Sequence, residues 1–463
     1  MSRKCSEETE CLIKGQAARS DDRLLGLTFS WLYSLVLILL CVGFTLVFLT
    51  DLSSQSGEPS QSQCHEQCNI ELVESIPEGL VFNSSVSHPS TFSAWKKLLD
   101  STESELRLAG MYWTLRGSDV WSDPSDWEGE EVFRELSALA GDRQRSLRIA
   151  QSKPRPGMPN KETEDLASLG AEVRTLDFQQ LMGGGILHTK LWIADGKHFY
   201  VGSANFDWRS LTQVKELGVL VTNCSCLAKD IAKIWQVYWD LGGQTEVPPF
   251  WPASYSTQIN SERPLEVKSQ DLSVYLTSSP PPFCPEGREK DLDGLLKVIN
   301  NAKEFVHIAV MDYFPTTIYT PHAKFWPYID DALRAAAVNR GVKVRLLASH
   351  WNHTRPAMVR FLSSLQDISG PGVDIQVRMF AVPAFTPEQE QIPFGRVNHN
   401  KYMVTDQEGF IGTSNWSGDY FISTGGISFV FSGKLRTQLV DIFQRDWTSA
   451  YAHPLQTEQC NQN

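Results

Sequence analysis

Hydrophobic positions divide the chain into one unbroken apolar stretch and a pattern that is then given twice. Residues 24–50 carry no charged side chain. A helix needs about 20 apolar residues to cross a bilayer, so this stretch is long enough. A cleaved signal peptide would be shorter, nearer the N-terminus and followed by a small-residue cleavage site. Arg19 and Arg23 precede the stretch and Asp51 opens the far side, which predicts a signal anchor with a cytosolic N-terminus. Residues 1–23 are then a polar tail holding an acidic dileucine-like string from Glu8 to Ile13. Residues 51–70 read as a Ser/Gln-rich luminal stalk open to proteolytic release.

Beyond the stalk a helix-like stretch at 91–105 precedes a buried strand at 106–113, and 292–303 with 305–314 repeats that order. A strand at 146–150 corresponds to one at 342–348, and one at 216–221 to one at 426–431. Each repeat closes with an apolar stripe at helical spacing, 227–239 or 435–447. Its aromatics Trp235, Trp239, Phe443 and Trp447 read as core. Alternating strands and helices predict an α/β fold, duplicated about a pseudo-twofold axis, with an α/β/α sandwich in each half and one transmembrane helix ahead of them. The halves span 71–242 and 280–463, and a Pro-rich polar crossover fills 243–279.

Charge and cysteine usage narrow the setting. A net charge of −12 excludes coating nucleic acid by bulk electrostatics, so a polyanionic substrate needs a local positive site. Of nine cysteines, Cys64, Cys68, Cys224, Cys226, Cys284 and Cys460 lie beyond the anchor, where an oxidising lumen favours bridges over zinc. N-x-[ST] sequons at Asn83, Asn223 and Asn352 are candidate glycan sites. A fourth, at Asn415, falls inside a motif where a glycan would block the site, and is expected bare.

The chemistry lies in two matched strings. His188-Thr189-Lys190 with Asp195 is followed by Gly202-Ser203-Ala204-Asn205, and His399-Asn400-Lys401 with Asp406 by Gly412-Thr413-Ser414-Asn415. On a strand, alternation sets His and Lys on one face. A metal site is disfavoured because each His has an ammonium two residues away.

The duplicated H-x-K-x4-D pattern resembles the signature of the phospholipase D superfamily. The flanking strings Gly202–Ser210 and Val397–Val404 look like the endolysosomal branch formed by family members three and four. Pro282–Pro285 and Tyr313–Thr317 lean towards the fourth-member group. The resemblance implies nested bridges Cys64–Cys226 and Cys68–Cys224, and leaves Cys284 and Cys460 unassigned because the family's late cysteine is replaced around Ser349 and His350. It also implies a homodimer and residence in endosome and lysosome, reached through the endoplasmic reticulum and Golgi.

Two imidazoles, two ammonium groups and two Asn amides converging on one point suit a phosphodiester. His188, Lys190, Asp195, Asn205, His399, Lys401, Asp406 and Asn415 are therefore the candidate catalytic set, with no metal and no cofactor required. One His attacks phosphorus and the other protonates the leaving oxygen. The near-equivalence of the halves leaves the assignment open, with His399 taken as nucleophile and His188 as proton donor. The aspartates are expected to stay off the substrate and to hydrogen-bond or compensate charge within each half, or to orient a His, and Glu216 to be structural. The branch implies a single-strand 5′→3′ exonuclease on DNA and RNA that releases nucleoside 3′-monophosphates and limits sensing by endosomal innate receptors. The alternative is transphosphatidylation of lysophosphatidylglycerol to bis(monoacylglycero)phosphate. Tyr112, Trp113, Tyr313 and Phe314 are the candidate base-stacking residues, with Phe325 and Trp326 behind them.

Overall fold

The apolar runs become the centres of two sheets that are assembled in the same order. A computed structural model describes residues 63–64, 67–155 and 160–455. The tail, the anchor at 24–50, most of the stalk and Cys460 lie outside the described residues. Among the described residues no helix is long and apolar enough to cross a membrane.

The first sheet holds β1 (Asn69–Ser75), β2 (Glu105–Gly110), β3 (Ser146–Ser152), β4 (Glu172–Leu176), β5 (Leu191–Ala194), β6 (His198–Gly202) and β7 (Glu216–Thr222). Its order is β1-β7-β6-β5-β2-β3-β4. The second is built on β8 (Leu272–Ser279), β9 (Phe305–Val310), β10 (Lys343–His350), β11 (Ile375–Ala381), β12 (Lys401–Thr405), β13 (Gly409–Gly412) and β14 (Gly426–Gly433). Its order, β8-β14-β13-β12-β9-β10-β11, is that of the first sheet strand for strand. Within these seven-strand orders the parallel pairs are those of β2-β3-β4 and β9-β10-β11, the arrangement that needs helical crossovers.

Two boundaries differ from expectation. Residues 243–279 are not linker throughout, because Leu265–Val267 and β8 are sheet strands. Strand β8 pairs with β14 from Leu272 to Ser279, as β1 pairs with β7. Its alternation was masked by the surrounding Pro and polar residues. The stalk also runs into the fold, since Gln63–Cys64 pairs in parallel with Leu265–Val267.

The halves do not have separate cores. One buried cluster joins Val201 and Val219 of the first sheet to Ile411 and Phe429 of the second. It also takes in Trp235 of α1 (Ser225–Leu241) and Phe443 of α2 (Lys434–Trp447). The two long helices thus fill a layer common to both sheets, while other helices cover the outer faces around Leu98 and Leu136, or Leu295 and Leu333. The expected α/β/α sandwiches share their central layer, and the described residues form a single compact unit. Bridges Cys64–Cys226 and Cys68–Cys224 tie the start of this unit to the N-terminal turn of α1. Cys284 is a free thiol.

Candidate active site

Each motif histidine is positioned by the opposite half. His188 and Lys190 precede β5, which starts at Leu191, and His399 precedes β12, which starts at Lys401. The motif heads were expected on strands, but they leave their own sheets to pair across the pseudo-dyad. The His188 backbone N–H donates to the carbonyl of Gly425, and that of His399 to Lys215, both at 2.8 Å. Leu187 bridges Gly425 and Lys215 bridges Asn398 in the same symmetric way. Since Lys215 and Gly425 immediately precede β7 and β14, closing the two halves is what aligns the imidazoles.

The aspartates do not touch either histidine. Asp195 accepts backbone N–H groups of Glu103, Ser104 and Glu105 at 2.7 to 2.9 Å, and the Ser104 hydroxyl at 2.6 Å. Asp406 repeats this with Lys303 and Glu304 at 3.0 Å and Phe305 at 3.4 Å. Each carboxylate therefore ties the end of a motif strand to the start of its neighbour, β2 or β9. Burial alone would raise their pKa. The hydrogen bonds hold Asp195 below the usual carboxylate range and Asp406 at about 2. Their expected place in the catalytic set is corrected to an architectural one.

A cavity of about 500 Å³ opens where the halves meet, and His188, His399, Asn205 and Asn415 all line it. Lys190 and Lys401 lie fully buried behind it, each donating Nζ to the backbone carbonyl of its own motif histidine, at 2.5 and 2.6 Å. Burial and the facing Lys401 push Lys190 well down, and burial lowers Lys401 to about 7 against the pull of Glu216 and Asp312. The Asn415 amide donates to Asp312 at 3.3 Å and to the Tyr420 hydroxyl at 3.2 Å. Asn415 itself is buried, while Asn83, Asn223 and Asn352 are exposed.

Pseudo-symmetry fails at the second ring nitrogens. His188 Nδ1 lies 2.7 Å from the Thr413 carbonyl, which can only accept, so Nδ1 carries the proton and Nε2 holds a lone pair. His399 Nδ1 instead faces the Glu216 carboxylate, 2.9 and 3.0 Å from its two oxygens. Glu216 heads β7, and its counterpart at the head of β14 is Gly426, which has no side chain to offer. Burial, Lys190 and Lys401 push His188 well below an ordinary imidazole. Burial lowers His399 too, but Glu216 opposes it. Glu216 was expected to be structural. The signal that could have marked it is a carboxylate opening a strand whose every residue is buried.

Of the four candidate stacking aromatics only Tyr112 reaches the cavity, and its hydroxyl donates to Asp207 at 3.0 Å. Trp113 is core, stacked on Phe206 at 3.9 Å. Tyr313 is buried with its hydroxyl on Asp330, and Phe314 and Trp326 are buried beside it. Phe325 is exposed but does not line the cavity. Strand-end aromatics at Trp113, Tyr313 and Phe314 turn inward because they follow the last apolar residues of β2 and β9 into the core.

The family description "PLD3/4, PLD-like domain" matches residues 83–385. The chain belongs to this family. It is 49% identical to human "5'-3' exonuclease PLD3" over 91% of this chain and 89% of that protein. It is 43% identical to mouse "5'-3' exonuclease PLD4" over 88% of this chain and 84% of that one. These figures support the PLD3/4 branch as a whole and do not single out its fourth member. A phosphatidylserine synthase from Haemophilus influenzae has the same fold, with a TM-score of 0.55 at 11% identity, covering 83% of this chain and 87% of its own.

Proposed function

We propose that the chain is a single-strand 5′→3′ exonuclease that cleaves DNA and RNA through a phosphohistidine and releases nucleoside 3′-monophosphates. The observation that carries this reading is the convergence of both motif histidines on one cavity, with buried lysines behind them, in a chain of the PLD3/4 family whose curated relatives are named 5′-3′ exonucleases.

The unequal environments of the rings favour His188 as nucleophile and His399 as acid, the reverse of the assignment taken from sequence. His188 Nε2 attacks phosphorus as the bond to the leaving 5′-oxygen breaks, and that oxygen takes the proton from His399 Nε2. Glu216 favours the imidazolium that His399 must be at this moment. Water then gives a proton to His399 Nε2 and attacks phosphorus, the P–N bond breaks, and the 3′-monophosphate leaves. Lys190, Lys401 and the Asn205 and Asn415 amides offset charge on the non-bridging oxygens, so the scheme requires no metal ion or cofactor. The low pKa of both lysines means their charge is most complete in acid, which fits an endosomal or lysosomal setting. Anchoring through residues 24–50, release at the stalk, glycans at Asn83 and Asn223, dimer formation and a role in limiting endosomal sensing of nucleic acid belong to the same proposal.

The test is the full-length protein with EDTA at acidic pH, given single-stranded oligonucleotides with free or phosphorylated 5′ ends and, separately, lysophosphatidylglycerol. Stepwise 3′-monophosphates from free 5′ ends are expected. New phospholipid without nucleotide release would replace this reading with transphosphatidylation.

A further inference from the structure

A 5′ exonuclease holds its scissile phosphate between the first and second nucleotides, so any track leading out of the cavity carries the remaining strand. The cavity mouth on the second half is built by residues that neither motif explains: Tyr319, Trp351, His353, Arg355 and Phe394. Three of them, Trp351, His353 and Phe394, also line an adjoining groove of about 510 Å³. A continuous path thus runs from the histidines over an aromatic sill into a second depression of similar size.

The sill has the chemistry of a nucleotide platform. The His353 and Phe394 rings stack at 4.8 Å with 16° between their planes, and Trp351 meets His353 edge-on at 4.7 Å. Phe394 is 60% exposed at the cavity mouth, so its ring is open to a ligand. Its backbone has φ of 58°, a left-handed conformation that is unfavourable for a residue with a Cβ. Strain of this kind persists where the surroundings enforce it and often marks a ligand site. Charge points the same way. Arg209, another cavity arginine, is locked onto Asp207. Arg355 has no carboxylate ion pair among the described residues. Its guanidinium lies 5.2 Å from the centre of the Tyr319 ring, donates to the Ile318 carbonyl and acts electrostatically on Asp312. In a chain with a net charge of −12, a guanidinium at the cavity mouth that no carboxylate pins directly adds to the positive charge of the buried lysines where a polyanion must lie.

We propose that this sill is the exit track of the uncleaved strand, with Arg355 holding the phosphate that follows the scissile one and Phe394, backed by His353, stacking the downstream bases. Stacking on a π-face accepts every base and grips an unpaired strand without reading sequence. The inference rests on the exonuclease reading and adds where the strand lies.

The experiment compares full-length wild type, Phe394→Ala, Phe394→Trp and Arg355→Ala on a long oligothymidylate and on bis(p-nitrophenyl) phosphate, a phosphodiester with no downstream nucleotide. Phe394→Ala is expected to raise KM for the oligothymidylate roughly tenfold, with recovery in Phe394→Trp. Arg355→Ala should weaken the salt dependence of kcat/KM, reducing its log–log slope by about 0.7 for one lost phosphate contact. Turnover of bis(p-nitrophenyl) phosphate should stay unchanged in all variants. Unchanged oligothymidylate kinetics, or equal losses on both substrates, would overturn the track. Wild type that hydrolyses bis(p-nitrophenyl) phosphate but not the oligothymidylate would instead remove the exonuclease reading itself, and the track with it.

Discussion

Replacing Glu216 by Gln keeps the shape of the site and removes one charge from His399. The carboxylate approaches Nδ1 to 2.9 Å and is fully buried, so bulk solvent does little to screen it. With charge centres about 4 Å apart and an effective dielectric of about 20, the pair interacts by about 4 kcal/mol. A tenfold change in a protonation equilibrium corresponds to about 1.4 kcal/mol, so the ceiling is a fall of about 3 in the His399 pKa. A neighbouring opposite charge typically moves a pKa by about 1 to 3. Burial already places His399 below 6.5, with Glu216 opposing the fall, so losing Glu216 moves it further down. If His399 must be protonated to release the leaving strand, the limb of the pH–rate profile that declines towards neutral pH moves to more acidic values. At a fixed pH above that limb the rate falls about tenfold for every 1.0 by which the His399 pKa drops. Profiles of kcat/KM for an oligonucleotide, measured for wild type, Glu216→Gln and Glu216→Asp, would test this, with partial recovery expected in Glu216→Asp. A Glu216→Gln profile with the same limb and a uniformly lower rate would refute the electrostatic role and leave Glu216 as a packing residue.

The remaining predictions concern the division of labour and the stability of the frame. With bis(p-nitrophenyl) phosphate, whose leaving group needs no protonation, His399→Ala should still show a burst of nitrophenol and a trapped phosphoenzyme, whereas His188→Ala should show neither. The opposite pattern would restore His399 as nucleophile. Lys215 and Arg445 neutralise Glu74 and Asp446 in a buried cluster joining β1, the head of β7 and α2, with Lys215–Asp446 at 2.7 Å and Arg445–Asp446 at 2.9 Å. Lys215→Met strands a buried negative charge and should cost about 3–5 kcal/mol in urea unfolding, and a loss under about 1 kcal/mol would contradict the assignment. Glu162 accepts the Leu115 and Arg116 N–H groups at 2.9 and 2.7 Å, yet burial raises its pKa to about 8. A carboxyl raised by folding stabilises most below its unfolded value of 4.5, and that contribution is lost as pH climbs to about 8. Wild type should therefore lose more stability than Glu162→Gln across this range, and parallel urea midpoints would disprove the link.

How much of this was legible in the sequence depends on how far apart the interacting residues lie. The apolar periods of β2, β9, α1 and α2 are properties of a few consecutive residues, and they set the duplicated α/β plan. The two His-x-Lys strings named the reactive groups because a repeated pattern of chemically unusual residues needs no tertiary context to be seen. Other features had no local signature. Glu216 meets His399 across 183 residues, and His188 meets Thr413 across 225. Nothing near either histidine reports which ring will face a carboxylate and which a carbonyl. That difference arises only when the halves close and the heads of β7 and β14 are laid beside the motifs. The aspartates show the converse. Their constant spacing from His and Lys suggested shared chemistry, but a strand of that length carries its far end to the sheet edge, where Asp195 and Asp406 bond to backbone. Aromatic content named candidate stacking residues but could not say which would face solvent, because burial depends on what packs above them. Tyr112 faces the cavity and Trp113 turns into the core, while Phe394 is brought to the mouth by a loop with no periodicity to read. The reactive groups and the twofold plan are written in short-range pattern, and the chain alone settles them. How the two histidines differ and where a strand can leave depend on contacts between distant segments, and those exist only once the halves have folded together.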